Sequence, residues 1–437
     1  MTMATSTKLT SKPSFLEIFV ITVGHTMTHW YPATFYLLLP LIGKELGLSY
    51  GEIGAIMTCQ YLVGAISNVP GGLAVDFVSR KTMPMAISML WVGVPYLLMG
   101  LTHTYWLLLV CSALVGVGNN LWHPAAIPLL AQRFPERRGL AVALHGMGGN
   151  LGDAIAPFAS GALLTILSWR EVVIVNVIPG LLLAALILVY VNRTTEQSRD
   201  IAEKSERMRS ADVLSALRTM FTSRTVLMVS ASSAFRLMTQ AGLLTFLPVF
   251  LATQMGYSPI WIGACMLALQ TAGFVAAPIA GHLSDRMGRR RIVMSSMAMT
   301  GLVLLLMATI GRSTAFVLFI SVLGFFLFAI RAVMQAWILD ATPKSMGGTS
   351  IGILFGTQAV GAAVGPALGG IFADHYGLMA TFYFLAITIV IANLFIFFTP
   401  VSETRFGTSA ASGLDKGDDQ LSAKPSPGNT TKDNYVV

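Results

Sequence analysis

Charge is scarce in this 437-residue sequence: Asp, Glu, Lys and Arg make up 11% of it, against about 25% in soluble globular domains. So few charges cannot cover the surface of a water-soluble fold of this length, which excludes a cytosolic enzyme, a nucleic-acid binder and a disordered protein. Cysteine is scarce too. Cys59, Cys111 and Cys265 lie far apart inside apolar runs, so no disulfide framework and no cysteine metal site is expected. The sequence has neither a P-loop nor HExxH, which argues against ATP-driven pumping and membrane hydrolysis. No cofactor, no metal and no enzymatic activity are expected.

What is abundant is apolar: hydrophobic types reach 54% before the 41 glycines are counted. Taking about 20 apolar residues per membrane span plus connections, the length allows about twelve spans. Runs of helix length lie near residues 15–41, 51–75, 83–101, 105–132, 139–167 and 170–191. A second set lies near 223–252, 259–284, 291–310, 314–340, 347–373 and 378–399. These predict an all-α membrane protein of twelve helices, with bundles at 15–191 and 223–400. Residues 1–14, a charged linker at 192–222 and a polar tail at 401–437 are expected outside the membrane, the tail disordered.

The net charge of +8 is a topology signal. Of the 28 lysines and arginines, only Lys44, Arg170 and Arg312 fall in odd-numbered loops, and only Arg236 and Arg331 fall inside spans. The rest crowd into even-numbered loops and tails, so both termini are expected in the cytoplasm.

The two halves read as copies. A shift of 209 carries Ile53-Gly54 onto Ile262-Gly263, Gly64 onto Gly273, Gly72 onto Gly281 and Asp76 onto Asp285. It also carries Arg80 onto Arg289, Gly152 onto Gly361, Pro157 onto Pro366 and Gly161 onto Gly370. A parallel repeat of six helices plus six helices follows, as in transporters whose halves are related by an axis along the membrane normal.

Between the eighth and ninth spans the sequence reads Gly281, His282, Leu283, Ser284, Asp285, Arg286, Met287, Gly288, Arg289, Arg290. This resembles the signature loop of the major facilitator superfamily. Gly72, Asp76 and Arg80 mark a looser first-half copy, with Phe77 for arginine and Ser79 for glycine. The aspartate at a helix end would meet a neighbouring helix N-terminus while the cations hold the cytoplasmic side shut. Gly352, Gly361, Gly365, Pro366, Gly369 and Gly370 are similar to the glycine and proline motif that proton-coupled antiporters carry in their fifth span. Helix packing explains that spacing equally well. Ser112 replaces the fourth-span arginine of multidrug antiporters. Gly116, Gly118, His123, Pro124, Arg138, Gly139, Leu140, Ala141, Gly148, Gly149, Asn150, Gly152 and Pro157, with His25, resemble the fosmidomycin resistance branch of the superfamily. That branch implies a proton-coupled exporter of the bacterial inner membrane. His29 departs from it, standing where the branch carries an acidic residue.

In this architecture the first, fourth, seventh and tenth spans line a central cavity. Each carries a polar pair one turn apart: His25 with His29, Asn119 with His123, Arg236 with Gln240, and Arg331 with Gln335. An arginine or aspartate at the bilayer centre costs about 2.5–3.5 kcal/mol by insertion scales, so such residues face water, substrate or a partner. Arg236 and Arg331 have few acids at matching depth and suit a carboxylate, phosphonate or phosphate. Trp30 and Tyr31 are candidate cavity walls or packing residues. Asp153, with His25, His29 and His145 beside it, is the candidate for proton coupling.

The expected function is secondary transport of a small organic anion, exported by a monomer against inward proton movement. Proton symport or facilitated uptake of a carboxylate nutrient uses the same residues. A non-transporting sensor or scaffold on the same fold is the remaining alternative.

Overall fold

Each apolar run folds as one helix, and the turns between them carry their own stop and start signals. The computed structural model describes residues 14–78, 81–191, 222–342 and 347–400. Apart from Ser14 and Thr222, the segments expected at 1–14, 192–222 and 401–437 lie outside the described residues, as do Arg80 and the side chain of Asp76. The first six helices are α1 (Phe15–Leu46), α2 (Tyr50–Phe77), α3 (Thr82–Leu101), α4 (Tyr105–Arg133), α5 (Arg138–Leu163) and α6 (Trp169–Leu186). The second six are α7 (Arg224–Thr253), α8 (Pro259–Met287), α9 (Arg289–Ile310), α10 (Ala315–Asp340), α11 (Gly347–Tyr376) and α12 (Leu378–Phe397). No strand occurs among the described residues. Gly348 to Gly352 spells the GxSxG of serine hydrolases, but it lies inside α11 rather than on a strand-to-helix turn, so it is no nucleophile elbow.

The first turn shows how local chemistry sets the boundaries. Gly47 ends α1 with φ 64°, and Ser49 with Glu52 forms a capping box that starts α2 two residues later. Among the described residues, nine helices are long and apolar enough to cross a membrane. The three that fall short, α1, α2 and α5, include the two that hold His25, His29, His145 and Asp153.

Packing repeats between the halves. α1 lies on α5, α2 on α4, and α3 on α4 and α6, while α7 lies on α11, α8 on α10, and α9 on α10 and α12. The result is two pseudo-symmetric six-helix bundles. The symmetry reaches single atoms: a Cβ at Gly116 would clash with the Gln60 carbonyl oxygen, and one at Gly324 with that of Leu269. Helices without side chains at such points bring their backbones into contact. Within the first bundle, Glu17 and Arg133 form a buried bidentate pair at 2.7 and 3.0 Å, tying the start of α1 to the end of α4.

The halves meet through α2 against α11 and α5 against α8. Near the α1–α2 loop both contacts are backbone to backbone. Gly54 abuts the Pro366 carbonyl and Gly263 that of Pro157, while Gly161 abuts Pro259 and Gly370 abuts Tyr50. Thr58 Oγ1 donates to the Ala363 carbonyl at 2.7 Å. Asp374, near the end of α11, accepts from the Tyr50 and Gly51 amides at 2.8 Å each, so a carboxylate seals the N-terminus of α2. At the opposite ends of the same four helices, a Cβ at Gly72, Gly139, Gly146, Gly281, Gly352 or Gly356 would meet no described atom within 4 Å. The two halves are therefore splayed on the face that bears residues 14 and 400.

This geometry modifies the expectation for the signature loop. Asp285 pairs with Arg289 at 2.5 Å, and Arg289 reaches Asp340 on α10 at 3.1 Å and Ser284 at 2.7 Å. Gly288, at φ 92°, makes the break between α8 and α9, and Arg286 is exposed. Every described ion pair of the loop stays inside the second bundle, so the loop does not hold that face shut in this conformation.

The Asp374 contact holds the opposite face. Replacing Asp374 by Asn removes a charge–dipole term worth about 0.3–1 kcal/mol, a roughly two- to fivefold change in a two-state population. Spin labels at Lys44 and Tyr376, both exposed beside this contact, should gain a longer-distance component in the variant. An unchanged distance distribution would contradict the assignment.

Candidate functional site

Glycines on α5 allow α1 to lie close enough for its histidines to reach across. The backbones of Gly148 and Gly152 press on the Thr22 and Thr26 carbonyls, and Gly149 makes the slot for the two rings. A Cβ there would sit 2.7 Å from His25 Cε1 and 2.9 Å from His29 Nε2. His25 is buried, stacks on the His145 ring at 4.0 Å, and points Nδ1 at the His145 carbonyl, 2.5 Å away. A carbonyl only accepts, so His25 Nδ1 carries the proton and a neutral His25 has its lone pair on Nε2. That Nε2 faces His123 Nε2 of α4 at 3.0 Å. One turn along α1, His29 Nδ1 lies 3.0 Å from Asp153 Oδ2, and both side chains are about a quarter exposed. Both ring nitrogens of the buried His145 lack a partner, at a cost of about 1–3 kcal/mol per buried unmade bond.

The facing half is cationic. Arg236 on α7 is fully buried. Its Nη1 donates to Gln240 Oε1 at 2.9 Å and to the Leu327 carbonyl at 3.4 Å, while Nε and Nη2 are buried without an acceptor. Arg331 on α10 is exposed within the structure and lies within Coulombic reach of both Arg236 and, in the other half, His123. No described carboxylate pairs with either arginine. Asp153 is turned to His29, whereas Asp285 and Asp340 are engaged by Arg289 and Asp374 by the α2 amides.

The four expected pairs differ in detail. Arg236 and Gln240 are bonded, and His25 and His29 meet edge to face at 4.8 Å. Asn119, partly buried with Oδ1 unpartnered, makes no described bond to His123, nor does half-buried Gln335 to Arg331. Trp30 and Tyr31, candidates for cavity walls or for packing, pack against α3 and α6 here and do not join the polar face. Trp30 Nε1 donates to Asn176 of α6 at 2.7 Å, and fully buried Tyr31 fills the space over Gly180 and accepts from Tyr96 through its carbonyl at 3.0 Å. One and two residues after His29, they are rotated about 100° and 200° around α1 and face α3 and α6. Gly361 and Gly365 back onto the Ala234 and Met238 carbonyls, Gly369 onto the Phe246 ring, and Pro366 onto Gly54, so that motif packs helices here.

Sequence reasoning missed a tyrosine pair. The Tyr36 and Tyr61 hydroxyls share a short hydrogen bond within Coulombic reach of Asp153. Tyr36 lies seven residues after His29, two turns along the same face, which is the signal that could have found it.

The model of the Major Facilitator Superfamily matches residues 18–276 and 262–427. The chain is 21% identical to the fosmidomycin resistance protein of Escherichia coli K12, over 90% of this chain and 95% of that one. It is also 21% identical to the phosphoglycerate transporter protein of Salmonella typhimurium LT2, over 83% and 84%. A bacterial homolog of the human lysosomal transporter Spinster, solved inward-facing and unoccupied, superposes with a TM-score of 0.73 at 16% identity, covering 88% of this chain and 96% of the other. The chain is a multi-pass membrane transporter of small molecules rather than an enzyme, and it belongs to the major facilitator superfamily.

Proposed function

We propose that the protein is a proton-coupled carrier that exports a small organic anion of the carboxylate or phosphonate type by alternating access. One observation carries this reading: Arg236 is buried with two guanidinium nitrogens lacking acceptors, and its charged neighbour is another arginine. A bidentate anion supplies the missing acceptors and offsets the repulsion between the two cations. The substrate would lie between Arg236 and Arg331, with Gln240, Gln335, Asn119 and His123 orienting it. The phosphoglycerate named for one relative is such an anion.

The rocking units in this reading are residues 15–191 and 223–400, working as a monomer in a bacterial inner membrane. Both tails and the 192–222 linker lie in the cytoplasm, so the open face is the inner one. Asp153 is the proton carrier and His29 its partner. When Asp153 is ionised it holds His29, and protonation frees that ring, so the state of the carboxyl is communicated to the α1 stripe that faces the cavity. Uptake by symport remains the second reading, since the same residues serve either direction.

Reconstitution in proteoliposomes with an imposed pH gradient tests the substrate class. Accumulation of organic anions with no response to cations is expected, and transport of cations alone would overturn the anion reading. In the same vesicles, Asp153→Asn should retain substrate exchange yet lose at least about 90% of gradient-driven accumulation, since a carrier without its proton group equilibrates but does not concentrate. Full accumulation by the variant would remove Asp153 from coupling.

A further inference from the structure

Three of the four intramembrane histidines form a compact group, of which only His123 is also placed against the anion. His25, His123 and His145 come from α1, α4 and α5, and one ring nitrogen from each lies within 4.8 Å of the others. His25 Nε2 and His123 Nε2 are 3.0 Å apart. Two nitrogens that share a tetrahedral ion at about 2.0–2.1 Å stand roughly 3.3 Å from each other, so this pair is already at ligand spacing.

The group has the other marks of a metal centre. His25 Nδ1 donates to the His145 carbonyl, the outer contact that fixes a histidine ligand with its lone pair on Nε2. His145 is 2% exposed, stacks on His25, and both of its ring nitrogens are buried without a partner. Its ring stacks on His25 and stands edge-on to His123 at 6.1 Å, and makes no hydrogen bond among the described residues. His123 is partly buried and lies within Coulombic reach of Arg331, so the group is least enclosed on the side that faces the second bundle. The nearest carboxylate, Asp153, is engaged by His29. An all-imidazole, uncharged set suits Zn²⁺, Co²⁺, Ni²⁺ or Cu²⁺ and is a poor match for Mg²⁺ or Ca²⁺, which prefer oxygen.

We propose that His25, His123 and His145 form a three-histidine site for a divalent transition-metal ion of the Zn²⁺ class, with a fourth position open to the cavity beside His123. Three neutral imidazoles supply the lone pairs. The proton on His123 Nε2 moves to Nδ1 of the same ring, so loading neither releases nor consumes a proton. The ring nitrogens, all within 4.8 Å of one another, reach the roughly 3.3 Å spacing of co-ligands when the His145 ring turns out of its stack on His25. Occupancy joins α1, α4 and α5 of one bundle. The site does not depend on the anion reading, because its test needs no transported substrate.

The full-length chain, purified through an affinity tag without histidine and placed in nanodiscs, is titrated with Co²⁺ while visible d–d absorption is recorded, and Zn²⁺ is then added as competitor. The expected result is a band that saturates at one equivalent and is displaced by Zn²⁺. His123→Gln, which keeps the approximate size of a partly buried side chain, and His145→Ala should each weaken Co²⁺ binding at least about tenfold. His29→Ala should leave it unchanged. Absence of a saturable band in the wild-type chain overturns the proposal. So does a band that survives in both His123→Gln and His145→Ala, or one that is lost only in His29→Ala.

Discussion

A guanidinium sealed among apolar helices is the most expensive group in this molecule, and its cost shapes everything around it. Arg236 has 0% exposure, one nitrogen bonded within its own bundle, and two nitrogens without an acceptor. An apolar methionine in its place would avoid the penalty of several kcal/mol that such burial carries. Arg331 adds a second positive charge within reach, which raises the cost rather than relieving it. Two unneutralised cations at one place in a membrane bundle are stable only if the remaining fold is rigid enough to hold them and if an anion relieves them during the working cycle.

That rigidity comes from small residues. The contacts that matter most are backbone against backbone: Gly116 on Gln60 and Gly324 on Leu269 within bundles, and Gly54 on Pro366 and Gly263 on Pro157 between them. The two contacts between bundles are related by the 209-residue repeat, so the rocking interface is itself pseudo-symmetric, and those within bundles correspond to within one residue. Asp374 breaks the symmetry. Its carboxylate caps α2 from the other bundle, while position 165, the counterpart by the same shift, holds a threonine. The closed face is thus fastened by a charge on one side of the pseudo-axis only.

Much of this was legible in the sequence because lipid imposes simple rules. Helix count followed from the length of the apolar runs, the repeat offset from the matched glycines, prolines and charges, and the exceptional status of Arg236, Arg331 and Asp153 from the scarcity of charge inside spans. What was not legible is which way each polar side chain turns. Tyr31 and Trp30 adjoin His29 in sequence yet face α3 and α6, because one residue rotates the helix by about 100°. The partner of Asp153 could have been an arginine or a histidine, and the choice of His29 depends on the slot at Gly149. The three histidines brought together from α1, α4 and α5 are separated by 98 and 22 residues, so no motif spacing announces them. The Glu17–Arg133 pair and the Tyr36–Tyr61 hydroxyls are likewise products of tertiary packing.

Contact between Arg236 and the substrate is the central requirement of the proposed transport cycle. The most direct measurement is equilibrium binding of the transported anion to purified wild-type protein and to Arg236→Gln, which keeps polarity and approximate size but removes the charge. Loss of a charge-assisted bidentate contact predicts affinity lower by at least about tenfold, equivalent to 1.4 kcal/mol or more, with the helical content and unfolding temperature retained. Equal affinity in a folded Arg236→Gln variant would contradict the account, leaving Arg236 as a structural charge and moving the anion site elsewhere.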